Sequence, residues 1–174
     1  MTGPLPVIDG ERIALRPATT DDIGDLARIR REPEVFEHWR GGDDLEAAVL
    51  DDLDEPDSTG YVIILDDRVV GWIQWQAETD PDYRHASMDI YLDPALRGRG
   101  VGTEAVRTMA RHLIDDHGHH RLTIDPAAHN AAAIRSYTKV GFRPVGILRS
   151  AERGSDGTWH DALLMDLLAD ELDR

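Results

Sequence analysis

Cysteine is absent from the 174-residue chain, and so are long hydrophobic runs. Without cysteine the protein has no disulfide bond, no thiolate metal site and no cysteine nucleophile. No segment approaches the roughly 20 consecutive apolar residues that a membrane-spanning helix needs. The segment from Met1 to Pro6 has neither the basic nor the apolar stretch of a signal peptide, so we expect a cytoplasmic protein.

Basic residues are also scarce relative to acidic ones. The chain has 19 Lys and Arg against 34 Asp and Glu, which gives a formal net charge of −15. Such a field repels nucleic-acid phosphates and anionic lipids, so we expect neither nucleic acid nor a membrane as a partner. It attracts cationic ligands, although an acidic excess can also serve solubility alone. The length and the 41% apolar content fit one domain spanning residues 1–174.

Hydrophobic patterning predicts a mixed α/β fold. Short apolar or alternating segments predict strands at 11–17, 61–65, 68–76, 86–92, 121–124, 142–149 and 158–168. Helical spacing predicts a helix after Thr19 or Thr20, a second over 43–53, a long amphipathic one whose apolar stripe runs from Val101 to Ile114, and a fourth over 131–140. The order of these elements is that of a mixed α/β protein without internal repeats.

The sharpest feature is the glycine-rich turn Arg97-Gly98-Arg99-Gly100-Val101-Gly102, between a predicted strand and the long helix. Glycines allow a tight turn and a close approach to a ligand, and unpaired amides at a helix start favour an anion. We therefore predict a phosphate ligand, bound by amide donors that open the helix at Arg99. The alternative is a turn without a ligand. A dinucleotide fingerprint would need glycine where Thr103 stands, and no Walker sequence follows.

Two segments together resemble the GNAT superfamily of acyl-CoA-dependent N-acyltransferases. Residues 97–102 satisfy the family signature Q/R-x-x-G-x-G/A. Asn130, Ala133, Tyr137 and Gly141-Phe142 are similar to its N-x-x-A-x-x-x-Y-x-x-x-G-F segment. The resemblance implies the GNAT fold, a central mixed, mostly antiparallel sheet flanked by helices, with a V-shaped split that holds acyl-CoA.

The resemblance also implies acetyl-CoA as the co-substrate and no metal. In the family the glycine turn holds the pyrophosphate of coenzyme A, the strand before it carries the pantetheine, and the later segment lies on the other side. The cofactor-binding residues implied here are Ile90, Tyr91, Leu92, Arg97, Gly98, Arg99, Gly100, Val101, Gly102, Thr103, Asn130, Ala133, Ser136 and Tyr137.

Within the superfamily the chain looks closest to aminoglycoside 6′-N-acetyltransferases. The similarity lies in four segments: 36–42, 78–81 before Asp89, 124–126 before Asn130, and Asp156-Gly157. It implies transfer of an acetyl group to the 6′-amine of an aminoglycoside. Aminoglycosides carry several ammonium groups, so an acidic protein would attract them, and salt would weaken that attraction.

Two residues are candidates for the catalytic groups. By strand alternation Asp89 lies on the face opposite Met88 and Ile90, where it would orient the amine or accept its proton. An aspartate with an ordinary pKa near 3.9 is a weak base, so a base at Asp89 needs burial or acidic neighbours. The resemblance assigns Tyr137 to the leaving sulfur as a general acid. The alternatives are an exposed strand aspartate and a tyrosine that only packs in the core. Because cysteine is absent, we expect direct transfer in a ternary complex.

Aromatic rings and carboxylates are predicted to bind the amine substrate. Indole faces suit sugar rings and cations, and carboxylates suit ammonium groups. The predicted set is Trp39, Trp75, Asp80, Asp89, Asp125 and Asp156. Each acid taken singly also fits an ordinary solvated surface residue.

Other functions stay open at this point. They are acylation of a lysine-type amine of a siderophore precursor or of a protein N-terminus, and sequestration of cationic drugs without turnover. Both a monomer and a homodimer are compatible with the sequence. We expect His117, His119 and His120 to stabilise the C-terminus of the long helix by positive charge rather than to bind a metal.

Overall fold

The computed structural model describes residues 3–174. In that range the chain forms eight strands and five α-helices: β1 (Ile8–Asp9), β2 (Ile13–Pro17), α1 (Ile23–Arg30), α2 (Pro33–Phe36), α3 (Leu45–Leu53), β3 (Thr59–Leu65), β4 (Arg68–Glu78), β5 (His85–Leu92), α4 (Val101–Asp115), β6 (Arg121–Ile124), α5 (Ala131–Val140), β7 (Arg143–Arg153) and β8 (Trp159–Leu168). Within the same residues no helix combines the length and hydrophobicity that a membrane crossing requires. Met1 and Thr2, where the segment considered for a signal peptide begins, lie outside the described residues.

The eight strands form one sheet in the order β1-β2-β3-β4-β5-β6-β8-β7. Every neighbouring pair is antiparallel except β5 and β6, which are parallel. β5 pairs with β6 at Ala86–Leu122 and Ser87–Thr123, and beyond these positions the two strands diverge. The result is a V-shaped split that opens toward the C-terminal end of β5. The predicted mixed, mostly antiparallel sheet is confirmed.

Helices cover both faces of the sheet, and each face has its own core. α4 and α5 pack on one face, where Val106 and Met109 are fully buried in the main core. α1, α2 and α3 pack on the other, where Leu26 and Trp72 are buried in the second core. α4 buries one stripe because its apolar residues recur every three or four positions. β5 lies between the two cores, so its side chains alternate between them.

Short-range signals explain where several elements begin and end. Asp66 and Asp67 join β3 to β4 with φ angles of 49° and 60°, the left-handed conformation that a tight hairpin turn requires. The Asp44 carboxylate accepts a hydrogen bond from the amide of Ala47 at 3.0 Å and caps α3. Gly141 follows α5 with a φ of 118°, which ends the helix.

The structure corrects the predicted start of the long helix. α4 begins at Val101, with Gly100 as its N-cap, rather than at Arg99. Pro33 follows α1 and begins α2, because proline is tolerated in the first turn of a helix. Tyr91 is buried in the second core, because α1 to α3 cover its face of β5.

Candidate active site

The split in the sheet leaves one edge of β5 free. From Met88 to Leu92, the edge that faces β6 has no strand partner among residues 3–174. Backbone N–H and C=O groups at such an edge can pair with an extended ligand. Ile90 and Leu92 pack against the main core, and Tyr91 is buried in the second. These three predicted cofactor residues therefore offer a ligand mainly their backbone groups.

The glycine turn follows β5 at the end where the split opens. Gly98 and Gly100 have φ angles of 73° and 77°, in the left-handed region that favours glycine. In the described part of the chain, the backbone amides of residues 101–103 have no hydrogen-bond partner. The Arg99 amide donates to the carbonyl of Leu96 at 3.3 Å, so the donor predicted there is not free. The amides that are free to bind an anion thus lie in the first turn of α4, two residues later than expected.

A groove beside the turn, which we call the basic groove, collects positive charge. It has a volume of about 350 Å³ and is lined by five basic residues against two acidic ones, together with Gly100, Thr103 and Thr108. The basic residues are Arg12, Arg107, Arg111, Lys139 and Arg174, and the acidic ones are Glu11 and Glu104. Glu104 holds Arg12 in place through an ion pair of 2.9 Å. In a chain of net charge −15, such a groove suits a phosphate-rich ligand. The sequence analysis missed these residues, although Arg107 and Arg111 stand four apart on α4 and therefore share a face.

Asp89 lies on β5, on the same face as Tyr91. Gln74 stands opposite it on β4 and donates a hydrogen bond from Nε2 to Asp89 Oδ2 at 3.5 Å. Burial raises the pKa of Asp89, and the nearby charge of Glu152 raises it further, while the Gln74 hydrogen bond opposes both. This carboxylate is therefore a stronger base than an exposed aspartate, as the predicted role of proton acceptor requires.

Asp125 directly follows β6, on the other side of the split from Asp89. The residue as a whole is exposed to solvent. Burial of the carboxyl group and the negative charge of Asp89 nevertheless raise the pKa of Asp125 to about 6, and Glu152 contributes in the same direction. Two carboxyl groups with raised pKa values at one place are typical of functional sites.

Tyr137 approaches the same carboxylates from α5. Its side chain is buried against the main core, with its ring 6.4 Å from that of Phe142. Burial raises the pKa of Tyr137 strongly, and the charges of Asp89 and Asp125 raise it further. The phenol therefore keeps its proton at neutral pH and serves as a hydrogen-bond donor. Packing of the Tyr137 ring in the core is therefore compatible with the predicted catalytic role of its hydroxyl group.

A cavity of about 100 Å³ opens beside the carboxyl groups. We call it the histidine–acid cavity; it is lined by Glu37, His38, His129, Glu152, Gly154, Ser155, Asp156 and His160. Nitrogen–oxygen distances of 3.6, 3.8 and 3.3 Å join the pairs His38–Glu152, His129–Glu37 and His160–Asp156. Glu152 links the cavity to Asp89 and Asp125, because its charge raises the pKa of both. The sequence analysis identified Asp156 in this set and missed the others, since no local pattern unites them.

Two predicted substrate residues lie at or next to this cavity. Asp156 forms the β7–β8 turn, where hydrogen bonds from the backbone and hydroxyl of Thr158, and from His160, lower its pKa to about 2. It therefore remains anionic. The ring of Trp39 packs edge-on against Tyr91 at 4.9 Å, and the residue before Trp39 lines the cavity. Part of the Trp39 ring is thus used in the second core rather than for a ligand.

Trp75 and Asp80 lie elsewhere, which corrects their predicted place in the substrate site. Gln74 shares its face of the sheet with Asp89, so the next residue, Trp75, projects from the opposite face. There the Trp75 ring lies 4.9 Å from that of His117. Asp80 is exposed in the β4–β5 turn, at the end of β5 remote from the opening of the split.

The histidines after α4 also differ from expectation. Burial lowers the pKa of His117, and it lowers the pKa of His119 to about 4. Both imidazoles are therefore neutral at pH 7. The prediction that their positive charge stabilises the C-terminus of α4 is wrong for these two residues, while His120 is exposed to solvent.

The remaining cofactor candidates lie at the two helix starts. The side-chain Oδ1 atom of Asn130 accepts a hydrogen bond from the amide of Ala133 at 3.2 Å, so Asn130 caps α5. Ala133 packs against the main core, and Ser136 is half-buried. Arg97 and Arg99 are exposed in the glycine turn. Contacts of these five residues with a cofactor stay predictions.

The family follows from the fold, the split and the glycine turn together with a sequence match. Residues 12–143 match the model of the acetyltransferase (GNAT) domain. Because the match spans more than half of the chain, the protein belongs to the GNAT acetyltransferases, and the resemblance identified from its motifs is confirmed. Members of this family use acetyl-CoA.

The relatives of this chain carry names that state different activities or families. Over 161 residues the chain is 26% identical to an aminoglycoside N(6')-acetyltransferase type 1 of Klebsiella pneumoniae, covering 82% of this chain and 79% of that protein. RimJ of Mycobacterium smegmatis, solved in complex with CoA-disulfide, is 26% identical with a TM-score of 0.80, covering 99% of this chain and 88% of that one. An acetyltransferase (GNAT family) from Bacillus anthracis has the same fold, with a TM-score of 0.80, 17% identity, and coverage of 95% and 100%.

Proposed function

We propose that this acetyltransferase acts on a primary amine of a polycationic small molecule, with the 6′-amine of an aminoglycoside as the acceptor. The observation that carries the proposal is the charge of the site. Glu37, Glu152 and Asp156 line the histidine–acid cavity, and Glu152 acts electrostatically on Asp89 and Asp125 beside the split. A polyamine is the small-molecule class that such a set of carboxylates attracts. The relative named for aminoglycoside 6′-acetylation supports the same choice.

The glycine turn and the basic groove fit the diphosphate and nucleotide phosphate of acetyl-CoA. Unpaired amides at residues 101–103 are positioned to donate to phosphate oxygens, and α4 adds the positive end of its dipole. Arg12, Arg107 and Arg111 add formal charge along the groove. The free edge of β5 would pair with the pantetheine amides, which directs the thioester toward Asp89. Bound in this way, acetyl-CoA supplies the activated acetyl group.

The carboxylates and Tyr137 have separate roles in the proposed transfer. Asp89 orients the amine and accepts the proton that nitrogen loses as the N–C bond forms and the C–S bond breaks. Asp125, with a pKa of about 6, is ionised at neutral pH and binds the ammonium group before transfer. Tyr137 donates a hydrogen bond to the leaving sulfur, because a phenol with a raised pKa keeps its proton. Holding the amine close to the thioester lowers the barrier by several further kcal/mol.

Thiol release from acetyl-CoA, measured with pairs of aminoglycosides that differ at the 6′ position, tests the proposal. The 6′-amine compound should release thiol well above background, and its 6′-hydroxyl counterpart should not. Equal release from both would reject the 6′ position. A peptide amine that reacts faster than either would favour acylation of a protein N-terminus. Binding of both substrates without any thiol release would leave sequestration as the function.

A matched pair of variants tests the role of Asp89. Asp89→Asn should lower kcat by about 10²–10⁴-fold, the usual contribution of a positioned acid or base, while the Kd for acetyl-CoA stays the same. Asp67→Asn is the control, because Asp67 lies in the β3–β4 turn with a φ of 60° that asparagine tolerates. It should change neither quantity. Equal losses of kcat and of acetyl-CoA affinity in Asp89→Asn would remove Asp89 from the catalytic role.

A further inference from the structure

The histidine–acid cavity contains a group of side chains with the spacing of metal ligands. Glu37 and His38 directly follow α2, and His129 lies in the loop between β6 and α5. One ligand atom from each of the three lies within 4.8 Å of the others, and no other such group occurs among residues 3–174. The His129 Nε2 and Glu37 Oε1 atoms are 3.8 Å apart. The imidazole rings of His38 and His129 are 5.7 Å apart.

We infer that Glu37, His38 and His129 bind a divalent first-row transition metal ion such as Zn²⁺. Zinc prefers imidazole nitrogen and carboxylate oxygen at about 2.0–2.2 Å, which places tetrahedral ligand atoms about 3.4 Å from one another. The ligand atoms lie within 4.8 Å of one another, so each pair needs to approach by at most about 1.4 Å to reach that spacing. The side chains have the freedom to do so, since Glu37 and His129 are exposed. Water completes the coordination, as in zinc sites that keep an open position.

The charge around the three ligands favours a cation. Glu152 Oε1 lies 3.6 Å from the Nδ1 atom of His38. The ring of His160 is 5.9 Å from that of His129, and Asp156 accompanies His160 on the same wall of the cavity. Three carboxylates and three imidazoles thus surround about 100 Å³ of space. Imidazole and carboxylate together select zinc, copper or nickel over magnesium and calcium, which prefer oxygen ligands alone.

Metal occupancy has a consequence for the reaction. The ion would fill the cavity in which we place the amine substrate, so it should compete with the amine and not with acetyl-CoA. The expected competition with the amine rests on the proposed function, whereas the binding of the metal ion does not. Binding and inhibition are therefore measured separately.

Calorimetry with ZnCl₂ on the full chain, without acetyl-CoA, tests the site. We expect one Zn²⁺ per chain, and a Kd raised at least about tenfold in His38→Ala and in His129→Ala, because each variant removes one of three protein ligands. His117→Ala and His120→Ala are the controls: His117 belongs to the separate cluster with His112, and His120 is exposed. Circular dichroism should show that all four variants are folded.

Three results would overturn the assignment: no binding of Zn²⁺, unchanged affinity in both His38→Ala and His129→Ala, or a loss of affinity in His117→Ala instead. Cobalt gives an independent readout, because Co²⁺ bound by nitrogen and oxygen ligands absorbs visible light more strongly than hydrated Co²⁺. That absorption should appear with the unaltered chain and disappear in His129→Ala. Zinc binding by a chain that acetylates no aminoglycoside would reject the proposed function and keep the metal site.

Discussion

Replacing Gly100 with valine should weaken the binding of coenzyme A at the glycine turn while the fold survives. Gly100 has a φ of 77°, and holding a side chain in that conformation costs about 1–3 kcal/mol. A Cβ atom there would lie 3.4 Å from Nη2 of Arg12, an ordinary van der Waals distance, so no further clash opposes the change. Domains of this kind have about 5–15 kcal/mol of stability, so Gly100→Val should remain folded.

Gly100→Val should weaken coenzyme A binding through lost hydrogen bonds, an effect that is separate from its cost in stability. The valine methyl groups enter the basic groove beside the unpaired amides of residues 101–103. A hydrogen bond to a charged group contributes about 1.5–3 kcal/mol. Loss of one such bond raises the Kd for coenzyme A by roughly 10- to 150-fold, at 1.4 kcal/mol per factor of ten. Isothermal titration calorimetry measures the Kd, and thermal unfolding measures the stability.

Gly118→Val is the matched control for backbone strain. Gly118 has a φ of 69°, and a Cβ atom there would meet nothing within 4 Å. It follows α4 at the end opposite the glycine turn. Both variants should therefore lose a similar part of the free energy of unfolding, while only Gly100→Val loses affinity for coenzyme A. The reasoning is refuted if coenzyme A binds Gly100→Val normally, or if both variants lose affinity equally.

Three further changes separate catalysis, electrostatics and stability. Tyr137→Phe should lower kcat by about 10²-fold or more while the melting temperature is unchanged, because the ring packing remains; a normal kcat would remove the hydroxyl from the reaction. Asp89→Asn should lower the pKa of Asp125 from about 6 without bringing it to the ordinary value, because burial is the larger cause; carboxyl NMR titration measures it, and an unchanged pKa would show that the two groups do not interact. Burial raises the pKa of Glu104, but hydrogen bonds from the amides of Arg12 and Ile13 and from the Arg12 guanidinium outweigh it, so the pKa is lowered. The stabilisation by Glu104 is therefore present above pH 4.5 and is lost as the pH falls through the lowered pKa. Glu104→Gln should cost about 1.5–3 kcal/mol of unfolding free energy at pH 7 in urea, and less below pH 4; an equal cost at both would show that the charge plays no part.

Local patterns in the sequence were sufficient to predict those parts of the candidate site that come from one short segment. The glycine spacing from Gly98 to Gly102 and the apolar period of α4 act over a few residues, because turn geometry and helix amphipathicity are local properties. The glycine turn was therefore recognisable before the structure, apart from the two-residue shift of the helix start. The alternation of β5 likewise indicated the face on which Asp89 lies, because a strand has a period of two.

The tertiary structure alone decided which groups meet. Glu37, His129 and Glu152 are far apart in sequence, and no periodicity predicts that α2, the loop before α5 and β7 bring them to one cavity. The same holds for the pKa of Asp125, which depends on burial and on the charge of Asp89 across the split. Composition and short-range pattern determined the fold class, the turn and the family, because these follow from neighbouring residues. The histidine–acid cavity depended on long-range packing, because electrostatic energy is set by distance in space and not along the chain.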